Sequence, residues 1–470
     1  MVDLELAYMS AYELARRIRR KEISPVDVVK NALARIAEVN PKLNGFCFVF
    51  PEEALAQAKA AEAKVVRGDE LGPLHGVPIA IKDLTPTKGK RTTLGSKIYE
   101  HNVPERDAVI VERLLGAGAI MVGKTTTPEF AYSGFTWSPL WGISRNPWNP
   151  ERTPGGSSGG SAIAVATGCV PIAEGSDAGG SVRIPAAFSG VVGLKPSFGR
   201  IPLEVLPTQQ DTIFHFGPLA RTVTDAALFL DVVQGPDDRD INSLPAAPAV
   251  PLPVASDAEG LRLALCPDQN IYALDPEVEA NTRAAAEALR EAGAQVAEVR
   301  LGWDRRLVDD HYMHWDCFMA AFFGQHLPKW RDRMTPGLVQ AMEGALKVSA
   351  VELRRYEITR KEAWDSLRAV LEHYDAVLTA TCAIAAPRAD GWDSEYFAAD
   401  ERGRVKGFEM TCTVNGVSAC PALSVPSGFT SEGLPTGLQI IGRRHDEAGV
   451  LRIGAALERV RPWVQRRPPL

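Results

Sequence analysis

Two glycine–serine turns set close together, PGGSSGGSAIAVATG at 154–168 and SDAGGSVRIP at 176–185, constrain this chain more than any other feature. Between them runs SAIAVATGCV (161–170), whose small apolar side chains suit a tightly packed helix. Gly-Ser runs are common in linkers, but a linker should lead out of a folded unit. Two such turns around one buried segment imply backbone folded closely against something.

Several chemistries use a glycine loop. Gly155 and Gly160 stand at P-loop spacing, but Ser161 occupies the lysine position, so nothing would neutralise bound phosphates; GxGxxG is absent as well. Residues 156–160 formally match the G-x-S-x-G elbow around Ser158, yet SRNPWNPERTP before them is a loop and not a strand. The downstream histidines, His311 among them, sit in no context that marks a base. A serine hydrolase without histidine needs another base, and a lysine kept neutral by an apolar pocket qualifies, because desolvation disfavours the ammonium. Lys82 ends the apolar run VPIAI and is followed by Asp83. On the residues alone it is either such a base or a strand-end lysine that snorkels to water or pairs with Asp83.

Composition limits the partners. The chain has 470 residues, 45% hydrophobic and 23% charged, enough for a sizeable core; 52 basic against 58 acidic residues, with no basic run, argue against nucleic acid. The amino terminus, MVDLELAYMSAYELARRIRRKEIS, resembles no signal peptide, and no apolar run approaches the ~18 residues of a membrane span. Seven scattered cysteines without a CxxC pair point away from disulfides and zinc and towards a reducing cytoplasm. Neither metal nor other cofactor is expected.

Along the chain, residues 1–70 read as helices, with Ser24-Pro25 opening the second. Val77 to Ile81 reads as a buried strand, and helix and strand alternate to about residue 235. The same grammar resumes at LRLALC (261–266), residues 303–372 are helical and richer in aromatics, and YDAVLTATC and PALSVPSGF again read as strands. This predicts an α/β fold with one large mixed, mostly parallel twisted sheet, covered on both faces by helices. One domain over 1–470 accounts for it: amino-terminal helices (1–70), a central core (71–240), a helical region (241–370) and a return to the core (371–470).

Four blocks carry a resemblance. GPLHGVPIAIKDL through GKTTTPEFAYSG, then NPWNPERTPGGSSGGSAIAVATGCVPIAEGSDAGGSVRIPAAFSGVVGLKPSFGRIP, GPLARTVTDAALFLDVVQG and PALSVPSGFTSEGLPTGLQIIGRRHDEAGVLRIGAALE, are similar to the amidase signature family. The resemblance covers 65–240 and 370–460; 245–365 matches only in layout. It implies a Ser-cisSer-Lys triad: Ser181 as nucleophile, Ser157 after a cis peptide bond as proton shuttle, and neutral Lys82 as base. It also implies an oxyanion hole from the N–H groups of Ala178, Gly179, Gly180 and Ser181. Ser158, Asp177 and Arg183 are expected to brace these turns, and Lys195 to be structural.

The family spans hydrolases of fatty-acid, peptide, aryl and cyclic amides and of carbamates, besides one component of an amidotransferase. The variable segment here carries Tyr312, His314, Trp315, Cys317, Phe318, Phe322 and Phe323. These rings line a largely uncharged pocket for an apolar or aryl amide or carbamate, or are core. Tyr132, Ser133, Trp137, Trp315 and Cys317 are the candidate substrate contacts. A carbamate or ester hydrolase uses the same triad. TCTVNGVSACPALSVPSGF departs from the N-L-A-G-L-P of the amidotransferase component, which lowers that option. A nucleotide-binding module is the reading from another class; a homodimer is compatible with the family.

Overall fold

The computed structural model describes residues 2–396 and 398–470. Its strands are β1 (Phe46–Val49), β2 (Pro78–Lys82), β3 (Ile120–Thr125), β4 (Trp137–Ser138), β5 (Gly142–Ile143), β6 (Ile172–Asp177), β7 (Val192–Lys195), β8 (His215–Ala220), β9 (Arg262–Leu265), β10 (Gln295–Glu298), β11 (Ala376–Ala380), β12 (Ala422–Phe429) and β13 (Pro435–Gly442). Among the described residues, β4 and β5 pair alone, and the others form one eleven-stranded sheet in the order β1-β3-β2-β6-β8-β7-β12-β13-β11-β9-β10.

The sheet is mixed, as the alternation of elements predicts. Its parallel pairings lie in two blocks, β3-β2-β6 and β11-β9-β10. Between them the pairings from β6 to β11 are antiparallel. The parallel share is smaller than helix–strand alternation alone suggests, because β12 and β13 form a hairpin and β8 returns beside β6 and β7.

Strand β2 shows why both faces are covered. Ile79 and Ile81 join one large apolar cluster, while Ala80 between them joins another on the opposite face. Successive side chains of a strand alternate, so a run buried throughout needs helices on both sides. The helix Gly159–Ala166 supplies one of them: every residue in it is buried, and it packs over β2, β3 and β6. Its first residues are small because Cβ atoms have no room; one on Gly160 would stand 2.4 Å from the Thr126 nitrogen.

The helix Pro25–Leu43 begins as expected, with the Ser24 hydroxyl accepting from the Val26 amide. The reading of 1–70 as helical misses β1, four residues that add to β3 in antiparallel register. The aromatic stretch folds as the helix Arg306–Phe323, followed by Pro336–Ala345 and Ala350–Leu371. Among the described residues no helix is long and apolar enough to cross a membrane.

Candidate active site

Strands β2 and β6 are parallel neighbours, so their carboxyl ends reach the same rim of the sheet. Lys82 closes β2, Asp177 closes β6, and the second glycine turn leaves that rim as residues 178–181. The first glycine turn arrives above them, and the two are tied by the Ser158 amide donating to the Ser181 carbonyl at 3.1 Å. The Gly156–Ser157 peptide is cis. A Cβ on Gly156 would lie 2.5 Å from the Ser133 carbonyl oxygen, so only glycine permits this approach.

Lys82 is fully buried, at 0% exposure. Its Nζ lies 2.6 Å from Ser157 Oγ and 3.0 Å from both Ser158 Oγ and Ser176 Oγ. Among the described residues no carboxylate pairs with it. Asp83 instead accepts from the Thr93 amide and hydroxyl and from Trp141 Nε1, which removes the ion-pair reading of Lys82. Glu174 accepts from the backbone amide of Lys82 and from the Thr85 hydroxyl, both at 2.9 Å. Burial pushes the Lys82 ammonium down to about 7, against the pull of the Glu174 and Asp177 carboxylates. Ser176 escapes the sequence reading: it sits inside the strand IAEGSD, where nothing marks its hydroxyl as facing the lysine.

Ser181 is half-buried and lines a cavity together with Gly156, Gly179 and Ile184. Its hydroxyl makes no hydrogen bond among the described residues. Lys82 and Ser157 are thus already in contact, whereas the link from Ser157 to Ser181 is not closed in this structure.

The oxyanion turn requires a correction. Gly180 is expected to offer its N–H to the substrate, but that amide donates to Asp177 Oδ1 at 2.9 Å. The amides of Ala178, Gly179 and Ser181 have no acceptor among the described residues and remain as donors. Gly180 has another function: at φ +127° and with a Cβ site 1.7 Å from Thr411 Oγ1, no other residue fits. Asp177 also takes the Val182 amide at 3.2 Å and forms a two-pronged ion pair with Arg183, at 3.0 and 2.8 Å. Burial works against that carboxylate, but the Arg183 guanidinium overcomes it and holds the group below the usual range. Arg183 in turn reaches Thr411, Gln439 and Asn415, so the turn is locked to the carboxy-terminal segment. Ser158 braces the first turn, donating to the Ser176 carbonyl at 3.3 Å. Lys195 donates to the Pro196 and Cys420 carbonyls, away from the cavity.

Of the expected substrate contacts, Tyr132, Ser133 and Trp315 line the cavity at Ser181. Trp137 lines an adjoining, more apolar cavity with Phe135, Leu338 and Trp392. The two share Tyr132, Ser133 and Asp393 as a common wall. Cys317 lines neither. It lies about 200° round the helix from Trp315, so its thiol faces elsewhere. The aromatic segment therefore does both: Tyr312 and Trp315 line the cavity and also pack with Phe318, Phe322 and Phe323 in one apolar cluster.

The inner cavity carries titratable groups beside the rings that the aromatic segment leads one to expect. Glu409, Asp393 and His311 also line it. Burial pushes the Glu409 carboxyl up to about 8. The Asp393 carboxyl is likewise pushed up by burial, to about 6, although it accepts from the Ser133 hydroxyl at 2.6 Å and the Gly134 amide at 3.0 Å. These residues come from segments distant in sequence, and no local pattern announces them.

A mixed sheet whose rim joins a buried lysine to two glycine-framed serines defines an amidohydrolase of the amidase signature class. The chain belongs to this family: the Amidase family model matches residues 27–451. It is 37% identical over 474 residues to an acylamidase of Rhodococcus erythropolis, covering 100% of this chain and 98% of the relative. It is 36% identical over 485 residues to the A-type component of glutamyl-tRNA(Gln) amidotransferase from Chloroflexus aggregans, covering 99% of each. The crystal structure of a bacterial aryl acylamidase of the amidase signature family superposes with a TM-score of 0.91 at 29% identity, covering 97% of each chain. The protein is a hydrolase acting on amide carbon–nitrogen bonds.

Proposed function

We propose that the protein hydrolyses a small apolar or aryl amide through an acyl-enzyme on Ser181, with Ser157 and Lys82 relaying the proton. The observation that carries this reading is the buried Lys82 amine 2.6 Å from Ser157 Oγ, with no carboxylate on it among the described residues. A neutral amine has two N–H groups and one lone pair. Ser158 gives its own proton to the Ser176 carbonyl and so accepts from Nζ; Ser176 Oγ is placed to accept the second N–H. The lone pair is left for the Ser157 hydroxyl.

Attack begins when the Ser181 hydroxyl turns onto Ser157 Oγ, the link that tightens with substrate in place. Ser181 Oγ bonds to the carbonyl carbon, its proton passes to Ser157, and the Ser157 proton passes to Lys82. The amides of Ala178, Gly179 and Ser181 face the oxygen on which charge develops, each worth roughly 3 kcal/mol in the transition state. Reversal of the relay protonates the leaving nitrogen, and water then cleaves the ester by the same route. The adjoining apolar cavity supports a substrate with an apolar or aryl portion.

Ser181→Ala is expected to abolish amide turnover and fluorophosphonate labelling. Lys82→Ala is expected to abolish turnover and slow labelling across neutral pH. Unchanged labelling of Lys82→Ala would remove the lysine from the mechanism. A screen of aryl acylamides, aliphatic primary amides, cyclic amides and carbamates assigns the substrate.

A further inference from the structure

Among the described residues His311 is the one histidine lining the cavity at Ser181, and it is 1% exposed. Its Nδ1 stands 2.8 Å from the Tyr356 hydroxyl, and its Nε2 has no partner among the described residues. The direction of the first bond follows from elimination. The Tyr356 hydroxyl is buried with no other acceptor among the described residues, and an unmade buried O–H costs about 1–3 kcal/mol. Tyr356 therefore donates to Nδ1, which fixes the proton on Nε2. That nitrogen lies 3.4 Å from the position a Cβ on Gly179 would take, so it overhangs the turn that carries the free amides.

We infer that His311, in its Nε2–H form, donates to the substrate carbonyl oxygen and takes the place the Gly180 amide cannot fill, with Tyr356 as the positioning residue. The inference rests on Ser181 as the attacking group. Burial holds the imidazolium down to about 3, helped by the neighbouring His314, Arg360 and Arg183 against Asp211, so the ring is a neutral donor throughout the working range. A neutral donor suits this place: it stabilises a developing oxyanion without supplying a proton that would leave the lysine relay idle. The ring comes from the helix Arg306–Phe323, so the variable segment contributes to the chemical step as well as to substrate shape.

His311→Phe is expected to lower kcat about 10²-fold with KM changed less than about threefold, the pattern of an interaction made only in the transition state. His311→Gln, which keeps an N–H donor, is expected to restore at least about tenfold of that loss. Nitrogen NMR of the native protein labelled in histidine, with His311→Gln for assignment, should show the Nε2–H form, and Tyr356→Phe should remove that preference. A native His311 carrying its proton on Nδ1, or His311→Phe retaining kcat within about threefold, overturns the inference. Ser181→Ala separates the two readings: turnover surviving in that variant defeats the nucleophile assignment, whereas its loss beside an active His311→Phe defeats only the role of the histidine.

Discussion

At the residue scale, two titrating groups of opposite sign should frame the activity. Lys82 must be neutral to accept a proton, and its folded value of about 7 lies below its unfolded one. Protonation below that point removes the base, so kcat/KM is expected to fall about tenfold for each pH unit lost. Glu409 is a neutral acid below about 8 and a carboxylate above it, in the cavity where negative charge develops. Turnover should therefore decline above that pH, and Glu409→Gln should keep the neutral rate and remove the alkaline limb; a profile unchanged in that variant refutes the assignment. The two groups differ in how far sequence reveals them. Lys82 is singled out because it ends a run of apolar neighbours, but a strand end fits a buried base and a snorkelling lysine equally, and only the family resemblance chooses between them. Glu409 and His311 owe their position to contacts between distant segments, and a lone His or Glu carries no local sign of what will surround it.

At the scale of the element, the second turn is held by a buried ion pair as well as by its glycines. Asp177 ends a strand, Arg183 opens a helix, and both side chains are fully buried. Removing one partner strands the other charge in the interior, so Arg183→Met should destabilise the fold by about 3–5 kcal/mol, read as a lowered urea midpoint. A loss of less than about 1 kcal/mol would show that Asp177 finds another partner. The family resemblance singles out both residues as braces of the turn, while their ion pair with each other is seen only in the structure. The pairing direction of the strands is less legible: a buried strand reads as the same apolar run whether its neighbour is parallel or antiparallel, and nothing in the run itself distinguishes the β12–β13 hairpin from a crossover. Strand β1 escapes because its four residues, FCFV, stand between two long helices and gain their partner only from β3.

At the scale of the whole molecule, the proposed chemistry and substrate selection fall to two adjoining cavities, one at Ser181 and one lined by Trp137 and Trp392. Trp137 and Trp392 meet edge to face at 5.2 Å in the apolar cavity, away from the lysine. Trp137→Ala is expected to raise KM for an aryl acylamide roughly tenfold while leaving kcat within about twofold, as loss of uniform binding does; equal losses for aryl and short aliphatic amides would show that the ring does not select. The aromatic segment supplies Tyr312, Trp315 and His311 to the inner cavity, and its phenylalanines join the core from much the same face of the helix, one to two turns beyond Trp315, which stacks on Phe318. The single amide-to-carbonyl bond from Ser158 to Ser181 has a consequence for anyone redesigning the molecule. It ties the two glycine turns directly to each other, so under the proposed function a new specificity is best sought by resculpting the tryptophan-lined chamber, away from that contact.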